Sequence, residues 1–138
     1  MVDQEWQEFI VSCSGGSVRL ELGSSLVPHQ GYVGTDMEAS PEFGIRKLDM
    51  TQKFPLDDAV VDEFFAWGSM EHLGYFEFVA TLGEIYRCLK PGGLFSFTVP
   101  DFDWFVRAYL KQENLSERRP DSYTDEEWVL FSIFGHQD

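Results

Sequence analysis

Val18-Arg19-Leu20-Glu21-Leu22, followed at once by Gly23-Ser24-Ser25, is the most informative stretch of the chain. Apolar and polar residues alternate through it, the period of a strand whose two faces meet different surroundings, and the glycine-serine run ends it. Downstream, Tyr32-Val33-Gly34-Thr35-Asp36 and Ile45-Arg46-Lys47-Leu48-Asp49 read as two more short strands, each closing on a carboxylate. Phe54-Pro55-Leu56-Asp57-Asp58 is a turn, and Val60 to Trp67, dense in Val and Phe, is a buried fourth strand. A fifth, Leu94 to Val99, ends at Pro100-Asp101.

Helical signals lie between and around these strands. Trp6, Phe9 and Ile10 predict a short amphipathic helix over residues 3–12, broken by Ser14-Gly15-Gly16-Ser17. Phe78, Val79, Leu82, Ile85, Tyr86 and Leu89 keep i, i+3/i+4 spacing, and Lys90 is expected in the last turn before Pro91-Gly92-Gly93 stops the helix. Residues 103–112 place Trp104, Phe105, Ala108 and Tyr109 on one face. Thr124-Asp125-Glu126-Glu127 is a capping box, predicting a last helix through Trp128, Phe131 and Phe134. Short apolar strands alternating with helices predict an α/β layer fold with a parallel sheet. In such sheets ligands bind beyond the carboxyl ends of the strands, where this sequence puts Glu21, Gly23, Asp36, Asp49, Trp67 and Asp101.

Composition narrows the function. The chain has 138 residues, 24 Asp+Glu against 10 Lys+Arg, a net charge of −14 and 16% aromatics. So aromatic a composition excludes a disordered acidic tail and predicts a single domain, 1–138. The charge argues against nucleic acid as a partner, because phosphate backbones need clustered Lys/Arg, and against an anionic membrane. No window approaches the ~20 apolar residues of a spanning helix, and the acidic N-terminus is not a signal peptide. Cys13 and Cys88 form no CxxC pattern and read as reduced thiols of a cytoplasmic protein. His29, His72 and His136 are too scattered to suggest a metal site.

At the strand ends, Gly23 lets backbone approach a ligand, Ser24 and Ser25 offer hydroxyl and amide donors, Asp36 suits ribose hydroxyls and Asp49 an adenine amino group. The pyrophosphate fingerprint G-x-G-x-x-G is missing, since Ser24, Ser25 and Leu26 follow Gly23, and there is no P-loop. A nucleoside without phosphates, or one carrying positive charge, therefore fits better than a dinucleotide, which disfavours an NAD-type oxidoreductase.

These residues also carry a family resemblance. Leu20-Glu21-Leu22-Gly23-Ser24-Ser25 with Gly31-Tyr32-Val33-Gly34-Thr35-Asp36 resembles the opening of class I S-adenosylmethionine-dependent methyltransferases. Phe54 to Asp62, Ser69-Met70-Glu71-His72-Leu73, Tyr86-Arg87-Cys88-Leu89-Lys90-Pro91-Gly92-Gly93 and Val99-Pro100-Asp101 continue it in order. The resemblance implies a Rossmann-like three-layer sandwich of about five mainly parallel strands, lacking the last two of the family's seven. It implies an N-terminal helix (1–14), a cofactor-binding core (18–101) and a helical C-terminal segment (102–138). S-adenosylmethionine would be the cofactor, held by Glu21, Gly23, Ser24, Asp36, Met37, Asp49, Met50, Trp67 and Gly68. Glu71 and His72 would face the reaction, with His72 as general base unless the pair merely opens the following helix. The reaction would move a methyl group to a small-molecule or carbohydrate-like acceptor. An inactive methyltransferase-like binding or assembly domain is the second reading, suggested by the serines in the glycine loop and the missing strands. Either way a second copy or partner chain could cover the open edge of the fifth strand. The segment Leu26–Gly31 is too short for the family's full first helix.

Overall fold

The computed structural model describes residues 4–13, 15–110, 124 and 127. They fall into two compact units that part between Thr98 and Val99. The first holds helix α1 (Gln4–Ser12), strands β1 (Arg19–Leu22), β2 (Val33–Asp36), β3 (Arg46–Lys47) and β4 (Val61–Trp67), helix α2 (Tyr75–Cys88) and strand β5 (Leu89–Thr98). One-turn 3-10 helices occupy Pro41–Phe43 and Met70–His72. The five strands form one sheet in the order β3-β2-β1-β4-β5, parallel throughout. This is the Rossmann-like arrangement expected of the sequence, with β1 at its centre.

Alternation along β1 and β4 gives the sheet two unlike faces. Leu20, Leu22, Phe64 and Ala66 are completely buried, and they share one apolar cluster with Trp6 of α1 and with Ile85 and Cys88 of α2. Phe9 and Ile10 from α1, and Phe78 and Leu82 from α2, pack onto that cluster. Burial of the Cys88 thiol in it pushes its pKa up to about 11, so this cysteine behaves as a small apolar residue. The other face carries Arg19, Glu21, Glu63, Phe65 and Trp67. Within the first unit it is the 24–32 segment, not a helix, that meets these residues: the rings of His29 (edge to face) and Tyr32 (tilted) pack against Phe65, 5.0 and 5.4 Å between ring centroids. Gly34 permits this. A Cβ there would lie 2.5 Å from Ser24 Oγ, 2.6 Å from Ile45 Cδ1 and 3.1 Å from Pro28 Cβ, so the segment rests directly on bare backbone.

Three boundaries differ from expectation. The third strand pairs only over Arg46–Lys47: Leu48 N–H makes the last ladder bond, to Asp36 O at 2.8 Å, and Asp49 begins a turn. Helix α2 ends at Cys88, so Arg87 and not Lys90 is the cation of its last turn. Lys90 lies beyond the helix and its Nζ donates to Asp62 Oδ2 at 2.8 Å. Pro91-Gly92-Gly93 falls inside β5 as an irregularity: Val61 pairs Leu89, Glu63 pairs Leu94, and the residues between bulge out because Pro91 has no N–H for the ladder.

The turn at 54–58 is stapled by α2. Arg87 donates to Leu56 O (2.8 Å), Phe54 O (3.3 Å) and Asp58 (2.8 Å), while Glu84 accepts from Phe54 N (2.8 Å). In the second unit, α3 (Phe102–Tyr109) is capped by Asp101, whose Oδ1 accepts from Trp104 N at 3.1 Å. The expected capping box is present: Thr124 N–H donates to Glu127 Oε2 (2.8 Å), and Glu127 N–H to Thr124 Oγ1 (3.2 Å). Trp128, Phe131, Phe134 and the 117–121 loop lie outside the described residues.

Candidate functional site

The carboxyl ends of β1, β2 and β4 gather most of the expected residues. Gly23 leaves β1 with φ +63° at a place where a Cβ would lie 2.7 Å from Ser69 Cβ and 3.4 Å from Met50 Cε. Ser69, just after β4, donates from Oγ to Leu22 O at 3.0 Å. The β1 loop, the post-β4 turn and Met50 thus converge on one spot, and only a residue without a side chain fits between them.

Around it, each expected residue has a definite place. Ser24 is buried and its N–H donates to Thr35 O at 3.0 Å. Ser25 N–H donates to Asp36 Oδ2 (2.9 Å), and Met37 N–H to Asp36 Oδ1 (2.8 Å). Asp36 therefore ties the β1 loop to the end of β2 while remaining half-exposed, and Met37 beside it is open to solvent. Asp49 accepts at Oδ1 from Thr51 N (2.9 Å) and Thr51 Oγ1 (2.7 Å). Gly68 N–H donates to Thr98 Oγ1 at 3.2 Å, joining the ends of β4 and β5. Glu71 lies beside Gly68, its Oε1 3.5 Å from the position a Cβ would take there. The other oxygen of Glu71, Oε2, is buried without a hydrogen-bond partner. A carboxylate oxygen hidden from water and unpaired is costly, and it suits a site that receives a cation or a donor. His72 ends the 3-10 turn, with its side chain exposed and its N–H on Ser69 O.

Glu21 and Trp67 stand a little apart. Glu21 is 2% exposed, and both of its oxygens are turned to His29: Oε2 accepts from His29 N at 2.5 Å and Oε1 meets His29 Nδ1 at 2.9 Å. Trp67 at the end of β4 is 58% exposed, its ring 5.1 Å from that of His29. Next along the same face, Tyr32 Oη donates to Glu63, and Arg19 Nε donates to Glu63 at 2.8 Å. The hydrogen bond from Tyr32, then that from Arg19, holds the Glu63 carboxyl below the usual range, and the same contact pushes the Tyr32 phenol up.

Sequence reasoning missed His29 and Ser69. Ser69 carries no pattern of its own. His29 has a usable signal in the brevity of Leu26–Gly31, since a connection too short for a helix must lie flat across β1 and bring its residues onto that face. Among the described residues, no group of His, Cys, Asp and Glu could hold a metal ion, and no helix is long and apolar enough to cross a membrane.

Comparison with known proteins gives this geometry its context. The architecture is similar to a solved structure from work on the conversion of a disulfide bond into a thioacetal group during echinomycin biosynthesis, at TM-score 0.51 and 15% identity over 88% of this chain and 61% of that one. Two others are a glycopeptide N-methyltransferase, MtfA, complexed with sinefungin (TM-score 0.47, 18% identity, 72% of this chain and 51% of that one) and a geranyl diphosphate C-methyltransferase from Streptomyces coelicolor A3(2) (0.46, 14%, 78% and 52%). The chain spans about half the length of these last two. No curated protein matches the sequence. The methyltransferase-domain family matches residues 12–97, from the end of α1 nearly to the end of β5, and over that span the chain belongs to the methyltransferase domain family.

Proposed function

We propose that this domain binds S-adenosylmethionine at the carboxyl ends of β1, β2 and β4 and serves methyl transfer to a small-molecule or carbohydrate-like acceptor. The observation that carries the reading is the convergence of Gly23, Met50, Gly68, Ser69 and the unpartnered Glu71 Oε2 at that edge, in a chain of this family. Family membership favours catalysis over an inert assembly domain.

The donor set fits the cofactor. Asp36 keeps lone pairs beyond the two amides it holds and would accept from the ribose hydroxyls, with Met37 beside it. Asp49 and Met50 would flank the adenine, while Gly23, Ser24 and Gly68 would border the remainder. Glu71 would offer its buried oxygen to positive charge, and His72 on the same turn would contact the acceptor. When bound, the cofactor supplies a methyl group on a cationic sulfur that is already a good leaving group. What the chain contributes is then orientation and a carboxylate-rich, partly dry setting. The protein is proposed to be cytoplasmic, and the outer edge of β5, where Leu94 and Phe97 are exposed, to be covered by a second copy or a partner chain.

Titration calorimetry with S-adenosylhomocysteine tests the reading. Binding should be measurable, and Asp36→Ala should weaken it by about 10- to 100-fold, the loss expected for hydrogen bonds to a charged group. Absence of heat at millimolar ligand from a protein with native circular dichroism would overturn it.

A further inference from the structure

Apart from Glu77, helix α2 presents no charged residue at its exposed positions, which are Tyr75, Phe76, Val79, Ala80, Gly83 and Tyr86. Phe76 is 85% exposed and Tyr86 84%. The charged side chains of the helix are engaged within the chain. Glu77 Oε2 accepts from Gly74 N–H at 3.0 Å, and Glu84 and Arg87 pair at 2.6 Å while holding the 54–58 turn. The outward face of an ordinary surface helix is polar and charged. Here, in a chain of net charge −14, Phe76, Val79, Gly83 and Tyr86 line up as one uncharged stripe. Gly83 adds a second departure. An interior glycine weakens a helix relative to alanine, and among the described residues nothing lies within 4 Å of a Cβ placed there, so no neighbour requires it.

The two ends of the stripe are unlike. At the first, Tyr75 and Phe76 project together, their rings edge to face at 5.5 Å. At the second, Tyr86 borders a hollow of about 700 Å³ lined also by Ala59, Leu89, Pro91 and Gly92. Phe76 and Tyr86 stand about 15 Å apart along the axis, and both pairs, Phe76 with Tyr86 and Val79 with Gly83, are spaced symmetrically about Thr81. We propose that α2 is the contact face of a symmetric dimer of this chain, its two helices antiparallel about a two-fold axis level with Thr81. Each aromatic pair then enters the other copy's hollow, and each Val79 faces the partner subunit's Gly83, where the missing side chain lets the helices approach. A protrusion and a hollow at opposite ends of one stripe are matched twice over by a two-fold operation, so a second copy satisfies both. Charge points the same way, since chains each carrying −14 meet at least cost through a face without unpaired charge. A 14-residue helix is about 21 Å long, which gives a contact smaller than the ~800 Å² per partner of a standard interface. The dimer should therefore be weak, with a dissociation constant on the order of 10 µM. The proposal does not depend on the methyl-transfer reading.

Sedimentation equilibrium on the intact chain, from about 1 to 500 µM, tests this and should show a monomer–dimer equilibrium. Gly83→Glu crowds no neighbour and supplies a better helix former, yet sets like charges against each other across the axis. It should weaken the dimer by at least about 10-fold, while the thermal midpoint of the dilute monomer stays at or above that of the native chain. Phe76→Gln, at the other end of the stripe, should weaken it by a similar factor. In amide NMR spectra, shifts on dilution should be confined to α2 and to residues 58–60 and 89–93. A chain of native circular dichroism that stays monomeric throughout overturns the proposal and leaves the face to a partner of different composition. A dimer that survives both substitutions, or whose dilution shifts fall on the outer edge of β5, overturns it as well.

Discussion

The two faces of the β1–β4 core are built from the same strands and do different work. On one, Leu20, Leu22, Phe64 and Ala66 meet two helices and are fully buried. On the other, one residue along in each strand, Glu21, Phe65 and Trp67 meet a short coil that brings His29 and Tyr32. Helix cover excludes water and rewards hydrocarbon, whereas coil cover leaves polar atoms that the sheet's own side chains must satisfy. Stability should therefore come chiefly from the first face, and the second should contribute less.

The largest effect should come from Phe64→Ala, which empties a fully buried site and should lower unfolding free energy by about 3–5 kcal/mol in urea denaturation. Phe65→Ala, next to it on the coil-covered face, should lose less than half of that; equal losses would break the comparison. Gly23→Ala comes next, at about 2–3 kcal/mol, because φ +63° and Ser69 Cβ at 2.7 Å leave no room for a methyl. Arg87→Ala removes the staple of the 54–58 turn and should cost about 1–3 kcal/mol, read as a lower midpoint with an unchanged m-value.

Smaller effects sharpen the picture. Glu84 is held below its ordinary value chiefly by the hydrogen bond from Arg87, Glu63 by that from Tyr32, and Asp62 by that from Lys90. A depressed carboxyl stabilises the fold at any pH above its unfolded value and loses that contribution as pH falls through the folded one. Unfolding free energy should hence be level near neutrality and decline below about pH 4.5, more shallowly in Glu84→Gln. Tyr32→Phe should cost least, about 0.5–1.5 kcal/mol, since Arg19 still holds Glu63.

Much of the helix-covered face was legible in the sequence. The alternation of Val18–Leu22 and the Phe-rich run to Trp67 each specify a strand, and the spacing from Phe78 to Ile85 specifies α2, because burial imposes those periods directly. Local signals were harder to place. Lys90 beside Pro91 suggests a helix end, but Leu89 already pairs with Val61, and the competing ladder stops the helix at Cys88. Asp101, grouped with the strand-end carboxylates, serves as the cap of α3. The gathering of Gly23, Asp36, Met50 and Gly68 near one edge follows from strand order alone. The pairing of Glu21 with His29 does not, since it depends on the path that the ten-residue connection between Leu22 and Val33 takes, and spacing says nothing of where its side chains land.

Gly34 sets the height of that connection. Because Ser24 and Pro28 sit where its Cβ would be, a side chain at this position would raise the coil and carry His29 away from Glu21. Natural variation should record the dependence. Relatives with a short connection should keep glycine here and retain the acid–imidazole pair, and lineages whose connection has lengthened into a helix should admit larger residues at this position and let the pair drift.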